Sequence, residues 1–251
     1  MLLPRFSPQA SVTPIPAGWR LQIPAGAAQT YRLAQLDDYA RLARRHFVHT
    51  PGVRLSLRCR ASHQALPGTW GFGLWNDPFA FSLGLQGMAQ RLPALPNACW
   101  FFHASAENHL SFQPNLPGSG FLAHSFRSPR LPTALLAPGA LALPLLFSRR
   151  LSIWLRKLAG KIIHEDSRLL ELDVTQWHTY TLDWQAAQVA FGVDGANVLE
   201  TTVSPRAPLG LVIWIDNQYA AWRPDGALGM GTLANSQPAW LEIEQLEMKP
   251  S

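Results

Sequence analysis

Cleaving a polymer by acid–base chemistry asks for two carboxyl groups, one to hold a proton and one to take it or to attack. This chain has few to offer. Of its 251 residues, 16 are Asp or Glu, and only Asp37, Asp38, Asp77 and Glu107 precede residue 165. Asp77 and Glu107 are the candidate catalytic residues, an acid/base pair if folding brings them together. Two later segments imitate carboxylate motifs: Glu171-Leu172-Asp173-Val174-Thr175-Gln176 and Glu242-Ile243-Glu244-Gln245-Leu246-Glu247. Alternating carboxylates on a strand more often face solvent than substrate, so both segments are expected to be structural. His103, His109 and His124 with Glu107 do not have the spacing of a zinc site. His46 and His49, in RRHFVH, read as surface residues. Neither a Gly-rich phosphate loop nor a G-x-S-x-G nucleophile elbow occurs. We therefore expect no metal and no cofactor. The richer supply is aromatic: ten Trp, which can fill a core or stack against a flat ligand.

Charge is unevenly distributed. Residues 1–164 carry +13 and residues 165–251 carry −8, giving the overall +5. Only three of the 21 basic residues are Lys, and no basic run is interleaved with stacking aromatics, so nucleic acid is not an expected partner. With 47% apolar and 15% charged residues the chain can bury a sizeable core. Cys59 and Cys99 lie in apolar, strand-like stretches without metal-site spacing and read as reduced and buried, although their pairing stays open. Pro4 and Arg5 interrupt the apolar run after Met1, which leaves no signal peptide and makes the cytoplasm the expected location.

The elements that must position these residues are mostly strands. RLSLRCRAS, residues 54–62, alternates Leu55, Leu57, Cys59 and Ala61 with Ser56, Arg58, Arg60 and Ser62. Similar stretches are WRLQI (19–23), TYRLAQL (30–36), TWGFGLW (69–75), NACWFFHA (97–104) and WHTYTLDW (177–184). QVAFGVDG (188–195), NVLETTV (197–203), LGLVIWID (209–216) and AWLEIEQLEM (239–248) complete the set. Asp194-Gly195 supplies the turn of a β-hairpin. One stretch departs from this pattern, at residues 131–168. An uncharged, Pro-interrupted apolar segment leads into SRRLSIWLRKLAGKII (148–163). There Leu151, Trp154, Leu155, Leu158, Ala159 and Ile162 share one helical face, and basic residues lie largely elsewhere. The prolines cut the apolar run below the ~20 residues of a membrane span. The strand pattern is that of a sandwich or barrel, and the leading expectation is an amphipathic helix packed on it with its basic face solvated. A helix lying on a membrane surface and a lid over a groove are the alternatives.

The C-terminal third, WHTYTLDWQAAQVAFGVDGANVLET followed by APLGLVIWIDNQYAAW and PAWLEIEQLEM, resembles the family 16 glycoside hydrolases, the laminarinase-like enzymes. LPGTWGFGLWNDPF, residues 66–79, is similar to the strand and loop entering their cleft. The resemblance implies an all-β fold, a concanavalin A-like jelly-roll sandwich of two antiparallel sheets; we expect one domain over residues 1–251, with the apolar segment and amphipathic helix of 131–168 inserted in it. It also implies a concave face lined for carbohydrate. The family's E-x-D-x-x-E motif is missing from the corresponding strand, where Ala98, Cys99, Trp100, Phe101, Phe102 and His103 stand instead. The expectation is therefore a carbohydrate-binding or vestigial hydrolase-like protein. The alternatives are an active glycoside hydrolase with a rearranged acid/base pair, and a membrane-peripheral binder of lipid or glycolipid. The expected ligand-binding residues are Trp70, Trp75, Asn76, Asp77, Trp100, Phe102, His103, Asp216, Asn217, Gln218, Tyr219 and Trp222.

Overall fold

A computed structural model of the protein describes residues 2–78, 91, 93–130 and 148–251. The apolar segment expected over 131–147 lies outside them. Among the described residues, two seven-stranded antiparallel sheets lie face to face, with strands numbered in chain order. Sheet I runs β1 (Leu3–Phe6), β4 (Leu33–Asp37), β13 (Gly210–Asp216), β6 (Thr69–Trp75), β7 (Ala98–Ala104), β8 (Gly120–Arg127), β9 (His164–Leu169). Sheet II runs β12 (Ala196–Thr201), β11 (Val189–Val193), β10 (His178–Trp184), β5 (Val53–Ala61), β16 (Ala239–Pro250), β3 (Gly18–Ile23), β2 (Ser11–Ile15). A separate hairpin joins β14 (Gln218–Trp222) to β15 (Leu228–Thr232). This is the all-β sandwich expected, and its order of non-consecutive strands is that of a jelly roll.

Period-two alternation explains which side chains meet between the sheets. Leu55, Leu57, Cys59 and Ala61 of β5 point inward and pack with Trp70, Phe72 and Leu74 of β6, Cys99 and Phe101 of β7, and Leu211, Ile213 and Ile215 of β13. Cys59 and Cys99 are both free and buried. The β11–β12 hairpin turns through Asp194 and Gly195 at φ of 50° and 84°, the left-handed pair that an Asp-Gly turn supplies.

The central strands of sheet I are buried on both faces: every residue of β7 and of β13 is buried. Their outer residues form a second apolar cluster, with Trp100 and Phe102 from β7, Val212 and Trp214 from β13, and Leu33, Tyr39 and Phe47 beside them. A strand covered on both sides reads as a continuous apolar run, which is how ACWFFHA and GLVIWID look in the sequence.

Helix α1 (Arg149–Ile162) forms where the periodicity places it, but it is rotated so that part of its apolar stripe faces outward. Its buried residues are Ser152 and Arg156, whereas Trp154 and Leu158 are exposed. The expected packing of the whole apolar stripe is thus corrected: Ala159 reaches the outer cluster of sheet I, while the Trp154–Leu158 ridge faces solvent. Backbone acceptors explain this choice. The guanidinium of Arg156 finds the carbonyls of Trp222 at 2.9 Å and Ser111 at 2.6 Å, so the polar side has partners waiting on the domain.

Candidate functional site

Strand register builds the outer face of sheet I row by row. Gly73 of β6 lies opposite Val212 on one side and Trp100 on the other; Trp100 lies opposite His124, and His124 opposite Ser167. The next row carries Gln35, Trp214, Gly71, Phe102 and Leu122. Beyond it come Leu33, Asp216, Thr69 and Ala104. At the other end Trp75 and Ala98 share a row with Phe126 and Glu165.

Four rings dominate this face. Trp100 lies 5.6 Å from Trp75, 5.4 Å from Trp214 and 5.3 Å from Phe102 between centroids, and Trp75 stacks on Trp214 at 6.3 Å and 7°. Two glycines make the space. A Cβ on Gly71 would stand 2.3 Å from the Phe101 carbonyl oxygen and 3.0 Å from the Trp214 ring. One on Gly73 would stand 2.5 Å from the Trp100 backbone. Among the described residues, nothing accepts a hydrogen bond from the buried Nε1 of Trp100. The same holds for the buried Nε1 atoms of Trp75 and of Trp70, the latter in the inter-sheet core.

Asp216 closes one end of the aromatic floor. Its carboxyl accepts from Thr69 Oγ1 at 2.8 Å, from the Gln218 amide at 3.2 Å and from Tyr31 OH at 3.4 Å, while Trp214 Nε1 donates to Thr69 Oγ1 at 3.0 Å. Burial raises its pKa to about 7, against the lowering effect of those hydrogen bonds. The group therefore holds a proton for part of the time near neutrality.

Every carboxylate of the chain can be placed, because residues 79–90, 92 and 131–147 contain no Asp or Glu. On the outer face of sheet I the register puts three: Asp37, Asp216 and Glu165. Asp37 accepts from Arg5 Nε at 2.6 Å and turns toward the amides of Tyr39 and Ala40, away from the Asp216 end. Glu165 is four strands away from Asp216. It is occupied by the amides of Phe112 and Gln113, both at 2.6 Å, and by Ser111 Oγ and His124. Burial pushes the pKa of Glu165 up, but these bonds, His124 foremost, bring it below the ordinary value. The outer-facing positions of the central strand β7 are Ala98, Trp100, Phe102 and Ala104, with no carboxylate among them.

The acid/base pair expected from sequence does not assemble. Asp77 follows the Trp75 end of β6, and Glu107 follows the Ala104 end of β7, which lies opposite Thr69. The six residue steps from Thr69 to Trp75 span about 20 Å, whereas even an inverting pair needs at most about 9.5 Å. Asp77 instead accepts from Arg91 Nη1 at 2.5 Å; burial raises its pKa even though Arg91, Arg5 and Arg44 act to lower it. Glu107 is exposed beside an open cleft of about 380 Å³ that Tyr219, Arg223 and Leu228 also line.

Of the twelve expected ligand-binding residues, Trp75, Trp100, Phe102 and Asp216 share the outer face of sheet I. Trp70 and His103 are corrected to the opposite side: Trp70 lies in the inter-sheet core and stacks with His103 at 5.5 Å, while His103 bonds the Leu66 carbonyl at 3.1 Å. Burial lowers the His103 pKa, the Leu66 bond opposing it. His103 and His124 thus face opposite sides of sheet I. Asn76 is a loop brace, donating to the Leu95 carbonyl and accepting from the Asn97 amide. Asn217 is fully buried and ties Arg32, Thr30 and Leu233 together. Gln218, Tyr219 and Trp222 belong to the β14–β15 hairpin, where Trp222 Nε1 donates to Ser152 of α1 at 2.9 Å. Sequence reasoning missed Trp214, Thr69 and Tyr31 as members of the face. Alternation in LGLVIWID puts Trp214 in phase with Asp216, a signal strong enough to have found the first.

No protein-family model and no curated protein sequence matches the chain. Solved structures do. A GlcNAcα1-4Gal-releasing endo-β-galactosidase from Clostridium perfringens superposes with a TM-score of 0.54 over 99% of this chain at 10% identity. This chain spans 58% of that enzyme's length. LamAcat from Zobellia galactanivorans superposes with a TM-score of 0.50, covering 94% of this chain and 79% of its own, at 13% identity. The molecule is thus a jelly-roll sandwich of the concanavalin A-like type. Its likeness to the laminarinase-like glycoside hydrolases, read first in the C-terminal third, holds at the level of the fold.

Proposed function

We propose that this protein binds a glycan on the outer face of sheet I without the two-carboxylate chemistry of glycoside hydrolases. The observation that carries the reading is the outer row of β7. Ala98, Trp100, Phe102 and Ala104 occupy the outward positions of the strand on which the resemblance to family 16 glycoside hydrolases would place a retaining pair about 5–5.5 Å apart. Trp75, only partly buried, offers flat apolar surface to a sugar ring, with the buried Trp100 and Trp214 packed against it. Asp216, Thr69 and Tyr31 provide the few placed polar groups that fix orientation at one end. The fold shared with an enzyme named as an endo-β-galactosidase supports a carbohydrate ligand over other ring-shaped ligands. Burial raises the pKa of Asp216 to about 7, and the register puts neither Asp37 nor Glu165 in its row of the sheet. A glycan array followed by reducing-end assays on each bound polysaccharide tests the reading. Binding without release of reducing ends is expected; release of new ends by the wild type would refute the reading, and Asp216→Asn would then show whether Asp216 takes part.

A further inference from the structure

We infer that helix α1 is a docking surface for an anionic phospholipid bilayer. The helix is fastened through its polar side. Ser152 Oγ donates to the Gly226 carbonyl at 2.9 Å and accepts from Trp222 Nε1, and Gln113 Nε2 donates to the Gly160 carbonyl at 2.8 Å. With Arg156 these contacts fix the rotation of the helix, so its outward ridge is set by the fold. On that ridge Trp154 and Leu158, one turn apart, are 58% and 39% exposed. At 100° per residue Arg150, Lys157 and Lys161 rise along one flank of the ridge, and the helix contains no carboxylate. Arg149 pairs with Asp225, but among the described residues none of the three flanking cations has an ion-pair partner.

The basic flank continues past the end of the helix. Lys161 and Ile162 border an open cleft of about 400 Å³ together with His164, Arg127 and Arg206, and no carboxylate lies among its described lining residues. A polyanion would satisfy the cations but leave the Trp154–Leu158 ridge in water. An apolar protein surface would bury the ridge but leave the cations unpaired. A bilayer with acidic headgroups satisfies both. Phosphates and carboxylates meet the flank, Leu158 enters the acyl boundary, and Trp154 sits at headgroup depth where indole rings concentrate.

The test is co-sedimentation of the full chain with phosphatidylcholine vesicles carrying about 30% phosphatidylserine, against pure phosphatidylcholine vesicles. The wild type should pellet with the acidic vesicles only, and less as salt is raised. Trp154→Glu and the double change Lys157→Glu/Lys161→Glu should each lower binding about tenfold or more. Because these side chains point into solvent, thermal unfolding of both variants should match the wild type, which separates lost docking from lost folding. Wild type remaining in the supernatant, equal binding to neutral vesicles, or Trp154→Glu pelleting like wild type would overturn the proposal. So would a dimer in solution that Trp154→Glu dissolves, since the ridge would then belong to a second copy.

Discussion

On the outer face of sheet II, Arg60 lies 4.8 Å from the Trp177 ring and 5.5 Å from Trp240, and Arg20 lies 4.5 Å from Trp240. Glu242 bridges those two arginines and Glu244 takes Arg58. The outer face of sheet I has tryptophans too, but they stack on each other and on Phe102 with hardly a charge between them. The same residue type serves two purposes. On sheet II indole is a platform for guanidinium in water; on sheet I it is a second, one-sided core. The difference teaches that the count of tryptophans says little about a binding face, whereas the residues between them say much. Arg at every second position marks a solvated lattice, and Gly71 marks a place where the Trp214 ring comes close to backbone.

Single changes can break or sharpen this contrast. Trp100→Ala should cost about 3–5 kcal/mol in urea unfolding, as for a buried core aromatic. A cost below 1 kcal/mol would make sheet I's outer face as loosely held as sheet II's. A smaller effect, of the order of a few kcal/mol at most, comes from pH. Asp216 has its folded pKa raised to about 7, above an unfolded value near about 4. The folded chain keeps a proton that the unfolded chain releases, so this stabilisation is complete below about pH 4 and is lost as pH rises through about 7. Stability curves at several pH values should show that decline, and Asp216→Asn should flatten it. Gly71→Ala forces a methyl against the Phe101 carbonyl and the Trp214 ring and should cost about 1–3 kcal/mol. Arg60→Ala removes one partner of an exposed lattice in which Arg20 still holds Glu242, and should cost about 1 kcal/mol or less.

Sheet II was readable because each strand has one wet face: RLSLRCRAS alternates, and β5 is buried in that same phase. The central strands of sheet I are buried on both faces, so ACWFFHA marks a strand without showing which residues face outward, and His103 points to the side opposite Trp100 and Phe102. Phase alone, counted from Trp100, would have separated them. β8 escaped notice because His124 and Ser125 interrupt its apolar run, the first to meet Glu165 and the second to reach the Val203 carbonyl. Helix α1 had a legible period, yet its orientation depended on carbonyls of Ser111, Trp222 and Gly226 supplied from distant parts of the chain. The missing carboxylates were legible in full, since absence from a sequence needs no fold to interpret.

The central claim is that the aromatic face binds sugar and does not cut it. Calorimetric titration of a glycan found on the array, run with wild type and with Trp75→Ala while reducing ends are followed in the same samples, tests this most directly. The account predicts saturable binding by wild type, affinity weaker by at least about tenfold in Trp75→Ala, in line with about 1.5 kcal/mol or more for an interfacial Trp, and no new reducing ends in either. Unchanged affinity in Trp75→Ala, or reducing ends appearing with wild type, would contradict it.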